Sequence, residues 1–186
     1  MKRTMDVKVL SMGAVSAALT MVATMVIKIP TPTMGYVHPG DCFVLLSGFL
    51  LGPVIGGLSA GLGSMLADLL GGYALWAPGT FVIKYFTAFT AALIYKRLSE
   101  GSKHHIAVKS IIAGVAGETV MIAGYFLFNI IILSFVNTGS EAVALGEAIV
   151  QSIAEIPFNA VQGVTGVVLA TALIPVFEKI RIMNAD

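Results

Sequence analysis

Most of the basic residues in this chain lie in three short patches that are separated by long apolar runs. Nine of the eleven Lys and Arg residues form these patches, which are Lys2, Arg3 and Lys8, then Lys96, Arg97, Lys103 and Lys109, and finally Lys179 and Arg181. Lys and Arg concentrate in the cytoplasmic segments of membrane proteins, so three such patches require an even number of membrane crossings between them. The pattern therefore predicts that both termini are cytoplasmic.

The composition indicates an integral membrane protein. The 186 residues are 57% hydrophobic and 11% charged, with a mean hydropathy of +0.93, whereas soluble domains carry roughly 25% charged residues. The net charge of +1 is too small to indicate the strongly basic surface that nucleic-acid-binding proteins carry, so nucleic acid is not an expected partner. Cys42 is the single cysteine, which excludes an internal disulfide. The lipid bilayer is thus the expected environment.

The apolar runs predict an all-α integral membrane protein with about six transmembrane helices in a single compact bundle, and residues 1–186 form one domain. The predicted helices cover residues 7–29, 42–51, 54–70, 80–95, 108–136 and 147–176. Gly52 and Pro53 separate the second helix from the third, because proline removes a backbone donor. The second helix is only about 16 Å long at 1.5 Å per residue, so we expect it to be recessed, with Asp41 as its N-cap. Segments interrupted by Gly and Pro often mark binding sites in transporters.

Polar side chains recur on single faces of the predicted helices. Glu118, Tyr125 and Asn129 stay within about 40° of one another on one face, at 100° per residue. A similar stripe on the last helix contains Glu155, Asn159 and Gln162. Such stripes face one another or water rather than lipid. Carboxamides suit the donors and acceptors of a heterocycle, and hydrogen bonding between helices is the alternative.

Ionisable residues inside predicted helices indicate function by default, because they are costly there. Lys84 and Asp68 lie near neighbouring helix ends. We expect them to form an ion pair that fixes the loop, or Lys84 to donate to an oxygen of a ligand. Glu118 lies about 14 Å into its helix. It is expected to be either a protonated carboxyl group bonded to a neighbouring helix or a ligand contact.

Aromatic residues cluster in the predicted outer loops. Tyr36, His38 and Asp41 come from the first of these loops, and Tyr73 and Trp76 come from the next. Together they can cover a ligand site from outside. Tyr and Trp also populate membrane interfaces without any such role, which is the alternative interpretation.

Small residues predict close approaches between helices. Gly48, Gly52 and Gly56 recur at intervals of four, which favours packing inside the bundle. Ala14 and Ala18 have the same spacing on the first helix, where a face of small residues can serve another protein subunit.

The chain is expected not to be an enzyme. It contains no Gly-x-x-x-x-Gly-Lys-[Ser/Thr] phosphate loop and no His-Glu-x-x-His zinc motif. Neither a metal nor a cofactor is expected. Two alternatives stay open, which are a membrane enzyme with Glu118 or Glu155 as its acid–base group, and a stand-alone carrier with Glu118 as its proton site.

Several stretches match one family, in the same order along nearly the whole chain. They are Gly35-Tyr-Val-His-Pro-Gly-Asp41, Leu51-Gly-Pro-Val-Ile-Gly-Gly57, Ala67-Asp-Leu-Leu-Gly-Gly-Tyr-Ala-Leu-Trp-Ala-Pro78, Ile83-Lys84, Gly124-Tyr-Phe126 and Pro157-Phe-Asn-Ala-Val-Gln-Gly163. The stretch 67–78 is the most specific of these. On these residues the chain resembles the substrate-binding S components of energy-coupling factor (ECF) vitamin transporters, in their riboflavin-transporter-like branch.

The resemblance implies a vitamin pocket near the outer face, covered by loops 31–40 and 71–79. It also implies a complex in the plasma membrane of a prokaryote, with a transmembrane coupling subunit that meets Ala14 and Ala18 and with two ATPase subunits. Asn159 and Gln162 match the family's polar motif on the last helix, so they are expected to bind the ligand.

The expected ligand is a nitrogen heterocycle. The compact polar stripes favour pyridoxine or hydroxymethylpyrimidine, with riboflavin next. Aromatic residues would stack on the ring, while Glu155 and Lys84 would join the two carboxamides at its polar edge.

Overall fold

Long apolar helices make up most of the chain. The structure is a computed structural model that describes residues 7–31, 35–101, 105–135 and 143–183. The helices are α1 Val7–Val26, α2 Asp41–Leu70, α3 Ala77–Gly101, α4 Ile106–Phe135 and α5 Leu145–Met183. Within those ranges all five are long and apolar enough to cross a membrane. The all-α prediction is confirmed, whereas the count of six helices is not. The predicted loop 137–141 and the basic residues Lys2, Arg3 and Lys103 lie outside the described residues.

Helix α2 contains the break that Gly52 and Pro53 predict. Gly52 adopts φ 79° and ψ −179°, and this positive φ favours glycine. Gly56 lies directly against Ser47 and Gly48, such that a Cβ atom added at Gly56 would be 2.8 Å from the Gly48 Cα atom. Eight residues of straight helix would separate these two glycines by about 12 Å, so the chain folds back at Gly52. Helix α2 therefore consists of a short arm, residues 41–51, and a long arm, residues 53–70.

The long arm packs closely against α3. Gly57 lies against Tyr85, and one turn later Gly61 lies against Phe81, so the two segments are antiparallel. Both glycines bring the long arm close to the backbone carbonyl groups of α3. The predicted role of glycine in close helix packing is confirmed at these contacts.

The short arm runs in the same direction as α3. Asp41 contacts Lys84, and farther along Gly48 lies against the backbone of Ala88. Glycine contacts also show that α1 is parallel to the long arm and that α4 is antiparallel to both α3 and α5. The start of α1 and the end of α5 consequently lie at the same end of the bundle. Which side of the membrane this end faces stays a prediction.

A pair of two-residue strands follows α1. Strand β1, Ile29–Pro30, pairs antiparallel with β2, Tyr36–Val37. The sequence predicted only an irregular loop here, because strands this short give no periodic signal. We call residues 29–31 and 35–40 the hairpin segment. It connects α1 to the short arm and lies beside the start of α2.

The distribution of polarity is that of a membrane protein. Large apolar side chains such as Val54, Val82 and Val164 are exposed on the outside of the bundle, where lipid would contact them. Several of the most polar side chains, including Lys84 and Asp41, are fully buried. The interior of the bundle therefore contains the groups that sequence reasoning selected as functional.

Candidate binding cavity

A cavity lies beside the hairpin segment, among the five helices. Its empty volume is about 590 Å³, including space that is open to solvent. Its lining is almost entirely polar or aromatic and comes from α1, the hairpin segment, the long arm, the loop after it, α3, α4 and α5. The lining residues are Thr24, Gly35, Tyr36, His38, Ser64, Asp68, Tyr73, Trp76, Thr80, Tyr125, Asn129, Glu155, Asn159 and Gln162.

Nine of the twelve residues that the sequence selects for the site line this cavity. They are Tyr36, His38, Tyr73, Trp76, Tyr125, Asn129, Glu155, Asn159 and Gln162. The other three, Asp41, Lys84 and Glu118, are not part of the lining. Whether any of the nine binds a ligand stays a prediction, although the structure brings them together from separate helices.

Sequence reasoning omitted five lining residues from the site. They are Thr24, Gly35, Ser64, Asp68 and Thr80. The spacing of Ser64 and Asp68, four residues apart, was a usable signal for a polar face on the long arm. Thr24 gave no such signal, because it is a single hydroxyl near the end of an apolar helix.

Lys84 pairs with Asp41, so the predicted pair with Asp68 is wrong. The Lys84 Nζ atom contacts the Asp41 Oδ1 atom, and both side chains are fully buried. The short arm runs parallel to α3, which places its first residue beside Lys84. Asp68 lies at the far end of the long arm, where its Oδ1 atom accepts a 2.6 Å hydrogen bond from the Tyr36 hydroxyl group.

The Asp41 carboxylate serves this ion pair rather than an N-cap. Gly40 occupies the N-cap position of α2, and no side chain makes a capping hydrogen bond there. The predicted N-cap role of Asp41 is therefore wrong, since its side chain turns inward to Lys84. The prediction that Lys84 donates to a ligand is not supported either, because Lys84 is absent from the lining.

Gln162 connects the hairpin segment to this ion pair. Its Oε1 atom accepts a 3.2 Å hydrogen bond from the backbone N–H of His38, and its Nε2 atom donates a 2.8 Å hydrogen bond to Asp41 Oδ2. Both ends of the amide are thus engaged in hydrogen bonds within the protein. One side chain on α5 thereby holds both the hairpin segment and the start of α2.

Two further hydrogen bonds fasten the hairpin segment across the cavity. The Thr31 hydroxyl donates to Glu155 Oε1 at 2.7 Å, and the Tyr36 hydroxyl donates to Asp68 Oδ1 at 2.6 Å. Glu155 belongs to α5 and Asp68 to the long arm, so the segment is tied to two different elements. Both residues are almost fully buried, with exposed fractions of 5% for Glu155 and 4% for Asp68.

Aromatic rings line the same region of the cavity. The Tyr36 ring lies 4.8 Å from the Tyr73 ring and 5.3 Å from the His38 ring, measured between centroids. Trp76 packs edge-on against Tyr73 at 6.3 Å. The Lys28 Nζ atom lies 4.6 Å from the Tyr36 ring centroid, in a cation–π contact. The residues predicted to cover the site from two loops therefore contact one another.

Comparison with known proteins identifies the family. A family model of the ECF-type riboflavin transporter S component matches residues 4–179. The chain belongs to this family. The resemblance found in the sequence is thereby confirmed, and this S component is the substrate-binding subunit of an ECF transporter and a multi-pass membrane protein.

One protein is similar to this S component in sequence and another is similar in structure. An uncharacterized protein in the gap 3' region of Pyrococcus woesei is 31% identical over 159 residues, which are 85% of this chain and 93% of the relative. The solved S component of a bacterial ECF transporter matches with a TM-score of 0.62 at 22% identity, and covers 96% of this chain and 98% of that one. The structural likeness shows a shared fold over nearly the full length.

A serine motif in this S component bears on the enzyme alternative. The sequence reasoning wrongly took the Gly-x-Ser-x-Gly hydrolase motif to be absent, although residues Gly57 to Gly61 match it by letters alone. That motif needs its serine on a sharp strand-to-helix turn. Ser59 instead lies within the long arm and donates a 2.9 Å hydrogen bond to the Ile55 carbonyl group. Within the described ranges, no group of three or more His, Cys, Asp and Glu side chains is placed to hold a metal ion.

Glu118 lies outside the cavity lining, between α4 and α5. Its side chain packs against Gly163 and Gly166, and a Cβ atom at Gly166 would lie 2.8 Å from the Asp41 Cβ atom and 3.3 Å from Glu118 Oε1. Among the described residues neither carboxyl oxygen of Glu118 has a hydrogen-bond partner. Glu118 nevertheless interacts with the Asp41 side chain of the short arm, so it contacts a neighbouring helix, and its contact with a ligand stays a prediction.

The hairpin segment of the S component carries neutral side chains into the cavity. Burial lowers the pKa of His38 to about 3, and the nearby cations Lys84 and Lys28 act in the same direction, against the opposing effect of Asp41. Burial also raises the pKa of Tyr36 far above its ordinary range, with the Asp68 carboxyl group adding to the effect. Both side chains are consequently uncharged at neutral pH.

Acid is expected to destabilise the S component through His38. In the unfolded chain His38 is protonated near its ordinary pKa of 6.5, whereas in the folded protein its pKa is about 3. Stability is therefore complete above pH 6.5 and falls as the pH decreases toward 3, by about 2 kcal/mol at pH 5. Thermal unfolding of the native protein and of His38→Asn between pH 7.5 and 5 measures this, and the variant should lose this part of the pH dependence. Parallel pH curves for the two proteins would contradict the assignment.

Proposed function

We propose that this S component binds a water-soluble vitamin or vitamin precursor with a nitrogen heterocycle inside the cavity beside the hairpin segment. The observation that carries the proposal is the convergence of nine predicted polar and aromatic side chains on that one cavity. Ligand sites are concave and combine aromatic surface with a few polar groups that fix orientation. The hairpin segment, with three hydrogen bonds to the helices, would act as a lid.

The lining suggests a division of roles. Tyr36, Tyr73 and Trp76 offer ring faces on which a flat heterocycle can stack. Asn129 and Asn159 are carboxamides that can both donate to and accept from ring nitrogens and hydroxyl groups. Slow release of the ligand follows if the hairpin segment must detach before the ligand leaves.

Riboflavin is our first candidate, because it is the vitamin in the description of the matching family. Pyridoxine and hydroxymethylpyrimidine, which the sequence reasoning favoured, find no support in that description. They stay as alternatives because the lining is rich in groups that suit a compact, hydroxyl-bearing ring.

The ligand can be identified from the purified protein. Flavin gives a yellow preparation with a visible absorption band, while a pyridine or pyrimidine is recognised by native mass spectrometry. Calorimetric titration with riboflavin, pyridoxine and hydroxymethylpyrimidine then ranks the three. Uptake that does not depend on an ATPase would contradict the transporter assignment and favour a stand-alone carrier.

Asn159→Ala is expected to weaken ligand binding by about 1–3 kcal/mol, because a polar group of the buried ligand would lose its partner. Gln162→Ala should weaken binding similarly and also lower thermal stability, since both ends of its amide bond to other parts of the protein. Titration calorimetry and thermal unfolding in one detergent measure the two effects. Thr165→Ala is the control, because its hydroxyl bonds only within α5 on an exposed face. Unchanged affinity in Asn159→Ala would remove that residue from the site.

We further propose that α1 joins the S component to the transmembrane coupling subunit. Two ATPase subunits would complete this complex in the plasma membrane of a prokaryote. Both termini of the S component would be cytoplasmic. Ala14 and Ala18 are exposed, whereas Gly13 and Thr20 face the long arm and are buried. The small-residue face is thus available to a partner helix, which fits close helix packing in membranes.

Replacing both Ala14 and Ala18 with leucine is expected to reduce assembly of the complex at least about tenfold while leaving ligand affinity unchanged, because both side chains point away from the bundle. Co-purification of the partner subunits and calorimetry of the isolated protein measure the two properties. Val15→Leu, on an adjoining exposed position, is the control for added bulk. Equal loss of assembly and ligand binding would show that the face packs within the bundle.

A further inference from the structure

We propose that Thr24 and Ser64 recognise the alcohol hydroxyl groups of the ligand, on the wall of the cavity that α1 and the long arm form together. The inference rests on the proposed function, since it concerns the same cavity. Both residues line the cavity, and each is 1% exposed. The ligand then needs hydroxyl groups on the side that faces this wall.

The two hydroxyl groups have no hydrogen-bond partner among the described residues. Buried polar groups are nearly always paired, because an unpaired one loses its bonds to water without any replacement. Ser134 and Ser152 are also unpaired within the described ranges, but they do not line the cavity. An unpaired hydroxyl at the wall of a cavity is a group that a ligand can satisfy. A hydroxyl both donates and accepts, so an alcohol can bond to it in either direction.

Other serine and threonine hydroxyl groups bond within their own helix. The buried residues Ser59 and Thr87 donate to the carbonyl groups four residues earlier, at 2.9 and 2.8 Å. The same type of bond is made by Thr20, Ser47, Ser99, Ser110, Thr119 and Thr165. Serine and threonine in helices commonly satisfy their hydroxyl groups in this way. Thr24 and Ser64 do not, so their hydroxyl groups are left for another partner.

Polar groups close to this wall are bonded elsewhere. The Thr24 Oγ1 atom lies against Gly40, where an added Cβ atom would collide with it and would also be 2.8 Å from His38 Nδ1. That ring nitrogen already accepts a 3.1 Å hydrogen bond from the Gly40 N–H, and a neutral imidazole has only one acceptor nitrogen. Asp68, one turn after Ser64, accepts a 2.6 Å hydrogen bond from the hairpin segment. The lack of a side chain at Gly40 leaves room beside the Thr24 hydroxyl group.

The depth of the wall indicates which part of the ligand it meets. Ser64 precedes Asp68 by four residues on the long arm, so it lies about 6 Å farther from the loop that follows this arm. Tyr73 and Trp76 belong to that loop and line the same cavity. A flat ring stacked on these two aromatic residues would therefore direct its hydroxyl groups inward, toward Ser64.

Thr24→Val and Ser64→Ala test the proposal through ligand affinity and thermal unfolding. Each variant removes a hydroxyl group and little else, so the affinity for the vitamin that binds should fall about 5- to 100-fold. Without ligand, the unfolding temperature should stay unchanged or rise, because an unpaired buried polar group has been removed. Calorimetric titration and thermal unfolding in one detergent measure the two properties. Unchanged affinity in both variants would overturn the proposal.

Ser59→Ala and Thr87→Val are the matched controls. Both hydroxyl groups belong to buried residues and bond within their own helices, and neither residue lines the cavity. These variants should leave the affinity unchanged. Equal losses of affinity in the test and control variants would overturn the assignment to Thr24 and Ser64.

Ligand analogues test the required hydroxyl groups. The pairs are riboflavin and lumiflavin, which lacks the hydroxyl-bearing chain, pyridoxine and its 4- and 5-deoxy forms, and hydroxymethylpyrimidine and the corresponding methylpyrimidine. For the vitamin that binds, an analogue that lacks the recognised hydroxyl should bind more weakly to the native protein and lose little further affinity in Thr24→Val or Ser64→Ala. Additive losses with every analogue would overturn the proposal while leaving the proposed function intact.

Binding of none of the three vitamins would show that the proposed ligands are wrong. The molecule that copurifies is then quantified by native mass spectrometry in the native protein and in the two variants. Its retention by the native protein and its loss from both variants would support the role of Thr24 and Ser64. Equal retention in all three proteins would overturn it.

Discussion

Lys84→Met is expected to destabilise the protein by about 3–5 kcal/mol, which is the typical cost of removing one partner of a buried ion pair. The Asp41 carboxylate would stay in the interior with no cation, held only by its hydrogen bond from Gln162. Both side chains of the pair are fully buried, so neither water nor salt can compensate the loss. Unfolding titrations in mixed micelles measure the change in the free energy of unfolding.

Two further variants make this result specific. Lys96→Met removes the lysine of an exposed pair with Glu100 on the same helix, so it should cost less than about 1 kcal/mol. Lys84→Met combined with Asp41→Asn removes both charges and should recover much of the stability, because the asparagine can still accept from Gln162. Equal effects of Lys84→Met and Lys96→Met would contradict the importance of the buried pair.

Gly56→Ala is expected to have the second large effect, with a loss of more than about 3 kcal/mol of stability. The added Cβ atom would collide with the Ser47 carbonyl oxygen and lie 2.8 Å from the Gly48 Cα atom. Overpacking typically costs about 1–3 kcal/mol when side chains can adjust, but here the obstacles are backbone atoms. The two arms of α2 would have to separate, which would also disturb Asp41 at the far end of the short arm.

Gly146→Ala is the matched control for this substitution. Gly146 also lies in a helix, yet no heavy atom lies within 4 Å of a Cβ atom added there. Alanine is a better helix former than glycine by roughly 1 kcal/mol, so this variant should be neutral or slightly more stable. Comparable losses in the two variants, in the same micelle titration, would disprove the close contact between the arms.

Several features of the fold could be predicted because they depend on local sequence. Apolar runs set the helices, and Gly52 with Pro53 marks the break in α2 through backbone chemistry alone. The count of six helices is not confirmed, because the predicted helices 42–51 and 54–70 are the two arms of α2, which fold back at Gly52. Residues 29–30 and 36–37 were missed as strands because their pairing depends on contacts across a loop.

Most of the residues predicted from a helix face with several polar side chains meet at the cavity, although their binding role stays a prediction. Asn159 and Glu155 were found from such a face, and both line the cavity. The partner of Lys84 was wrong, because sequence proximity through the loop favoured Asp68, whereas the parallel course of the short arm favours Asp41. Glu118 shares a face with Tyr125 but is deeper in the bundle, where glycines of α5 close around it.

The amide of Gln162 has a consequence for how ligand occupancy is communicated. Because its oxygen holds the backbone of His38 and its nitrogen holds Asp41, release of the hairpin segment and loosening of the buried ion pair are energetically linked through one side chain. Rotation of this single amide would change both at once. A ligand that holds the hairpin segment in place is therefore expected to raise the resistance of the protein to heat, even when it never touches Lys84.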